Sequence, residues 1–195
     1  MAYGPRERIV FSAAQLIRRD GVAATGLRHV VAHADAPRGS LQHYFPGGKE
    51  QLVNDAVAWA ARYAARRVDR FVTAMGESPT PGGLFAAMTR QWTDELEAAD
   101  GTLAGCPVAA ATVDCAASAP STRTAVATAF AEWAAPIARA LTTMGVPENR
   151  APSLATLMLS TLEGAILISR AERSPRALQT VAAELGPILD AATST

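Results

Sequence analysis

Apolar residues recur every three to four positions along most of this 195-residue chain, the spacing of helices that bury one face. Ile9, Ala13, Leu16 and Ile17 share such a face, which predicts a first helix over about 4–19. Asp20-Gly21 ends it, because glycine takes positive φ freely. Leu27, Val30, Val31 and Ala34 line a second helix of two turns, with Thr25 placed as its N-cap. Asp35-Ala36-Pro37 stops that helix. Arg38 to Phe45 forms a third, anchored by Leu41 and Phe45 and closed by Pro46-Gly47-Gly48. Helices this short do not hold alone. Packed on the first, they make a helix-turn-helix.

From Lys49 a long amphipathic helix is predicted to about Met75, with Leu52, Val53, Ala56, Trp59, Ala60, Tyr63, Val68 and Phe71 facing inward. Ser78 to Gly83 is the clearest loop. Further helices are expected over about 84–99, 106–117, 121–144 (kinked at Pro136), 150–172 and 175–191. No alternation lasts long enough for a strand. The expected fold is all-α: a three-helix helix-turn-helix domain over 1–48, then a helical ligand-binding and dimerisation domain over 49–195. Residues 49–75 are its connecting helix.

Composition supports a folded, helical protein, with 49% apolar and 18% charged residues. A formal net charge of zero would argue against binding a polyanion, but the charge is unevenly placed. Residues 1–70 carry eleven basic against six acidic residues, a net +5, and all three histidines. Residues 71–195 carry seven against twelve, a net −5. Phosphate attraction is local, screened beyond ~10 Å, so the basic end is a candidate nucleic-acid face.

Other chemistry is sparse. Cys106 and Cys115 fit no zinc or redox spacing and read as small thiols in a cytoplasmic protein. Arg6, Glu7 and Arg8 precede any apolar stretch, so no signal peptide is expected. The most apolar window, Leu154 to Ser169, falls short of the ~20 residues of a membrane span and contains Glu163. No histidine lies beyond His43, which leaves the second half without a hydrolase triad. His29 and His33 are spaced like metal ligands on a helix but lack a third partner. They read as surface histidines. No metal, cofactor or enzymatic activity is expected.

The third helix offers what major-groove reading requires. Gln42 can pair bidentately with adenine, and Arg38 can reach guanine or a phosphate. Ser40 and His43 add short polar groups, and Gly39 permits close backbone approach. Tyr44 and Thr25 are candidate phosphate donors, and Lys49 opens the next helix.

Residues 5–55 resemble the N-terminal domain of the TetR family of repressors. The resemblance rests on Thr25, then Val30-Val31-Ala32-His33-Ala34, then Pro37-Arg38-Gly39-Ser40-Leu41-Gln42-His43-Tyr44-Phe45-Pro46, then Lys49-Glu50-Gln51-Leu52. It implies base reading by Arg38, Ser40, Gln42 and His43, and phosphate contact by Thr25, Tyr44 and Lys49. Arg28 matches a second-helix position that often touches DNA. Asp35 stands where many members have glycine, and Gln42 where tyrosine is commoner. The Gly47-Gly48 pair, Gly105-Cys106-Pro107-Val108 and Glu163-Gly164-Ala165 resemble the subgroup of the LmrA and YxaF regulators.

The resemblance further implies that a small-molecule effector binds the second domain and shifts the fourth helix. A mostly apolar pocket between helices is the usual small-molecule site in a bundle. Met88, Trp92, Phe130, Met158, Leu162 and Glu163 are its candidate lining. Leu154, Leu157, Met158, Thr161 and Ala165, with Leu178, Val181, Leu185 and Leu189, form apolar stripes on the last two helices. They are the candidate dimer interface, two helices from each subunit making a four-helix bundle. The expected function is a ligand-responsive repressor bound as a homodimer to palindromic double-stranded operator DNA. The alternative is a helical small-molecule-binding or adaptor protein that does not bind DNA.

Overall fold

The structure, a computed structural model, describes residues 4–37, 39–99, 101–102 and 104–193. Its regular structure is helical: α1 (Pro5–Ala24), α2 (Leu27–His33), α3 (Ser40–Tyr44), α4 (Gly48–Ala74), α5 (Pro81–Ala98), α6 (Pro107–Cys115), α7 (Pro120–Thr143), α8 (Ala151–Glu172) and α9 (Arg176–Asp190). Two compact units result. One comprises Met1–Arg62 with Gly105–Phe130, the other Tyr63–Ala104 with Ala131–Thr195.

In the first unit α1 is the platform. Its Ile9, Val10, Ala13, Leu16 and Ile17 are buried, and α2, α3 and α6 pack against it. Gly21 breaks α1 with φ 83° and ψ 169°, after which helix resumes to Ala24. Thr25 is not the N-cap expected from the sequence. Its hydroxyl donates to the Gly21 carbonyl at 2.7 Å, and extended Gly26 precedes α2 without a side-chain cap. Asp35 sits in the left-handed region at φ 48°, a conformation aspartate tolerates better than most residues. That lets the chain reverse between α2 and α3 without glycine.

The segment Gly105–Phe130, assigned from sequence to the second domain, packs with this first unit. Polar pairs explain why. The Arg18 Nε–H donates to the Gly105 carbonyl at 3.0 Å, and the Gly105 N–H donates back to the Arg18 carbonyl at 2.8 Å. At the α1 break, the Val22 N–H donates to the Asp114 carboxylate at 2.7 Å. None of these long-range partners has a local sequence signal.

In the second unit α5, α8 and α9 pack together. Thr80 caps α5 by accepting from the Gly83 N–H at 3.0 Å, with Pro81 in the first turn. The helix thus starts three residues earlier than its apolar pattern suggests, because cap and proline precede the first large side chain. Gly82 lets α9 come close: its N–H donates to Asp190 at 2.7 Å, and a Cβ there would lie 2.7 Å from the Gly186 carbonyl oxygen.

Helix α8 runs for 22 residues and is long and apolar enough, by length and composition alone, to cross a membrane. Its inward stripe is Leu154, Ala155, Met158, Leu159, Leu162, Ala165, Ile166 and Ser169, the face expected of a core helix. That stripe corrects the dimer assignment. Leu154, Met158 and Ala165 are buried within the unit, as are Leu178, Leu185 and Leu189 of α9. On these two helices the exposed large apolar residues are Leu157, Leu167 and Ile168 of α8 and Ile188 of α9, while Thr161 and Val181 are half-buried. Periodicity had merged two stripes on each helix into one.

Candidate nucleic-acid interface

Short helices are held in place by what anchors their ends. Phe45, just past α3, is 2% exposed. The Arg6 guanidinium lies 5.4 Å from the centre of its ring and also pairs with Asp55 at 2.6 Å. One side chain from the first turn of α1 thereby ties the end of α3 to α4. The Ser40 N–H donates to the Pro37 carbonyl at 2.9 Å, opening α3, and the Phe45 N–H closes it onto Leu41 at 2.7 Å.

Gln51 is a positioning residue that sequence reasoning missed. Its amide oxygen accepts from the Gly47 N–H at 2.9 Å, and its nitrogen reaches the Tyr44 carbonyl at 3.4 Å. It fixes the turn from α3 into α4, where Gly48 takes φ 70°. Its place in the Lys49-Glu50-Gln51-Leu52 stretch and its spacing of four from Gly47 are the sequence signals, and neither gives its role.

With those anchors inside, polar groups face out. Arg28, His29 and His33 on α2, and Gln42 and His43 on α3, are exposed, as is Gly39. Ser40 and Tyr44 are half-buried, the Tyr44 ring meeting His43 edge-on at 4.6 Å and Phe45 at 6.5 Å. Lys49 is half-buried and its ammonium reaches the Ala23 carbonyl at 3.4 Å. Arg38 lies outside the described residues. Thr25 is only 4% exposed with its hydroxyl turned inward, so it supports the α1–α2 turn and offers little to a phosphate. Among the described residues no group of three His, Cys, Asp or Glu side chains could hold a metal ion.

Glu50, Asn54 and Ser121 form a polar chain. Ser121 donates to Glu50 and accepts from Asn54 at 3.0 Å. This joins the first turns of α4 to the start of α7. Cys115 sits close by, and burial, aided by the Asp114 carboxylate, pushes its thiol up from the ordinary range. Cys106 is buried.

Asp114 bears on the reading helices indirectly, by closing the break that leads into α2. Asp114→Ala is expected to lower stability by about 1 kcal/mol and the melting temperature by a few degrees, with Asp114→Asn recovering most of the loss. A melt unchanged in the alanine variant would mean that water satisfies the Val22 N–H equally well.

Of the residues expected to line an effector pocket, Met88 and Trp92 of α5 and Met158 and Leu162 of α8 are buried in the second unit. Both carboxylate oxygens of Glu163 are buried too. Phe130 is half-buried and belongs to the first unit, so it falls outside that set.

Comparison with known proteins matches both parts of the chain. Residues 9–56 fit the bacterial regulatory proteins of the tetR family, and residues 81–184 fit the C-terminal domain of LmrA/YxaF-like transcriptional regulators. An uncharacterized HTH-type transcriptional regulator of Mycobacterium tuberculosis is 38% identical over 193 residues, covering 95% of this chain and 94% of that protein. The HTH-type transcriptional regulator LmrA of Bacillus subtilis is 30% identical over 170 residues, covering 87% and 88%. A TetR transcriptional regulator from Legionella pneumophila shares the fold at a TM-score of 0.80 and 19% identity, covering 96% of this chain and 98% of that one. Anchored α2 and α3, an outward polar face and full-length kinship agree: the chain belongs to the TetR family of DNA-binding transcriptional regulators, in its LmrA/YxaF-like branch.

Proposed function

We propose that this regulator is a cytoplasmic homodimeric repressor, without enzymatic activity, that leaves a palindromic operator when a small molecule binds its second unit. The observation that carries the DNA-reading part is the pairing of a buried Phe45 with exposed Gln42, His43 and Arg28. Helix α3, anchored at its end by Phe45, presents the Gln42 amide and the His43 imidazole outward, and α2 beside it presents the Arg28 guanidinium. The base readers are Gln42 and His43, with Ser40 and Arg38. Tyr44, Lys49 and Arg28 take the backbone.

Dimerisation uses the outward stripe of α8 and α9. Leu157, Thr161, Gly164 and Ile168 follow one another at helical spacing on α8, and Val181 and Ile188 do so on α9. Gly164 supports this reading, since a Cβ there would meet nothing within 4 Å in the chain. Its smallness serves no packing within the described fold and suits close approach by a second copy. Paired half-sites one helical turn apart then match the two-fold axis. The effector is recognised through Met88, Trp92, Met158, Leu162 and Glu163, apolar surface with one carboxylate. That composition suits a mostly apolar molecule.

The test is a pair of substitutions titrated against matched and mismatched duplexes. Tyr44→Ala is expected to weaken binding to every sequence alike. Gln42→Ala is expected to relax preference at one position per half-site, by about 1–3 kcal/mol of discrimination. Uniform losses for both would remove Gln42 as a base reader.

A further inference from the structure

A groove of about 780 Å³ opens between α2 and α3. Its floor is apolar: Leu27, Val31 and Ala32 from α2, Ala36 from the turn, and Leu41 from α3. Arg28 and Gln42 also line it. Among the described residues, Ala32, Ala36 and Gly39 are the small members of that lining, and a Cβ added at Gly39 would meet nothing within 4 Å. Leu27 and Leu41 are half-buried and Ala32 is exposed. The buried anchoring of this pair falls to Val30, Val31, Ala34 and Phe45 instead.

An apolar floor framed by a guanidinium and an amide faces whatever those two groups face. In a regulator of this family that is operator DNA, and the groove is continuous with the reading face. The major groove presents one apolar group, the thymine C5 methyl. It lies on the same base-pair edge as the adenine N6 and N7 atoms that a glutamine amide grips. Apolar surface beside Gln42 therefore complements an A·T pair from both of its bases, while Arg28 at the rim complements the flanking phosphates.

We propose that the groove between α2 and α3 receives thymine methyl groups, so that each half-site carries a thymine paired with, or next to, the adenine read by Gln42. This rests on the functional reading above. Burying one methyl strengthens binding about fourfold, hence roughly tenfold or more for two half-sites acting together.

The experiment starts from an operator duplex selected from a random pool with the full-length dimer. Each thymine is replaced in turn by deoxyuridine, which removes only the methyl. Ala32→Gln supplies the protein side: Ala32 is exposed, so a polar chain can fill the groove without disturbing the core. The expected result is a loss of about fourfold per methyl at one or two positions per half-site in the unaltered protein. In Ala32→Gln the ratio of thymine to uracil affinity falls to about one. Uracil tolerated at every position, with operator binding intact, overturns the groove assignment and leaves DNA reading standing. A uracil penalty that persists in Ala32→Gln places methyl recognition elsewhere and overturns it too. Failure to select any duplex overturns the functional reading, and this inference with it.

Discussion

Aspartate at both Ile168 and Ile188 is expected to give a monomer whose operator affinity is two to four orders of magnitude weaker. Both side chains are more than half exposed, at 51% and 61%, and lie on the outward stripes of α8 and α9. A carboxylate there is hydrated in the single chain but unpaired and desolvated in a dimer, which costs several kcal/mol per group. Losing the partner removes the second reading head. Linked heads gain about 10²–10⁴ over a single one, so affinity falls by that factor. Light scattering checks the mass, and a salt-controlled titration checks binding. A thermal melt should stay cooperative and fall only by the stabilisation that association supplies, because neither residue supports the core. A persistent dimer, or a monomer binding as tightly as before, would defeat the assignment. Leu162 makes the contrast: fully buried on the opposite stripe, it cannot take a charge without disrupting the unit.

The second large effect belongs to the α5–α9 contact. Gly82→Ala would place a methyl 2.7 Å from the Gly186 carbonyl oxygen and 2.7 Å from an Asp190 oxygen. The carbonyl belongs to helical backbone and cannot rotate away, so the helices must separate. Overpacking of this kind costs about 1–3 kcal/mol. Separation also strains the bond from the Gly82 N–H to Asp190, adding about 1 kcal/mol or more. The melting temperature should drop by roughly 5–15 °C. A Gly82→Ala melt within a degree of the original would show that the helices can slide at no cost.

The sequence made the helices legible because their signals are local. Caps, prolines and glycines at 20–21, 35–37, 46–48 and 79–83 mark the ends, and the family motif over 25–52 identifies the reading helices. Even the departure at Asp35 was interpretable, since it takes the backbone conformation that glycine would have taken. Tertiary choices were less legible. Thr25 has the chemistry of a cap but bonds backward to Gly21. Periodicity finds an apolar face on α8 without telling which of its two stripes is turned inward. The burial of Met158 and Leu178, against the exposure of Ile168 and Ile188, is decided by what α5 and α9 cover. The Arg18–Gly105 and Val22–Asp114 pairs span 87 and 92 residues, and no window of sequence carries such a distance.

Those two pairs make the reading head a composite of two stretches of polypeptide. A chimaera built by transplanting only the first sixty residues onto a foreign sensor would strip Val22 of its acceptor and α1 of the helix lying along it. Swapping operator preference between such regulators therefore means moving 105–130 together with the amino-terminal piece, as a single cassette cut in two places.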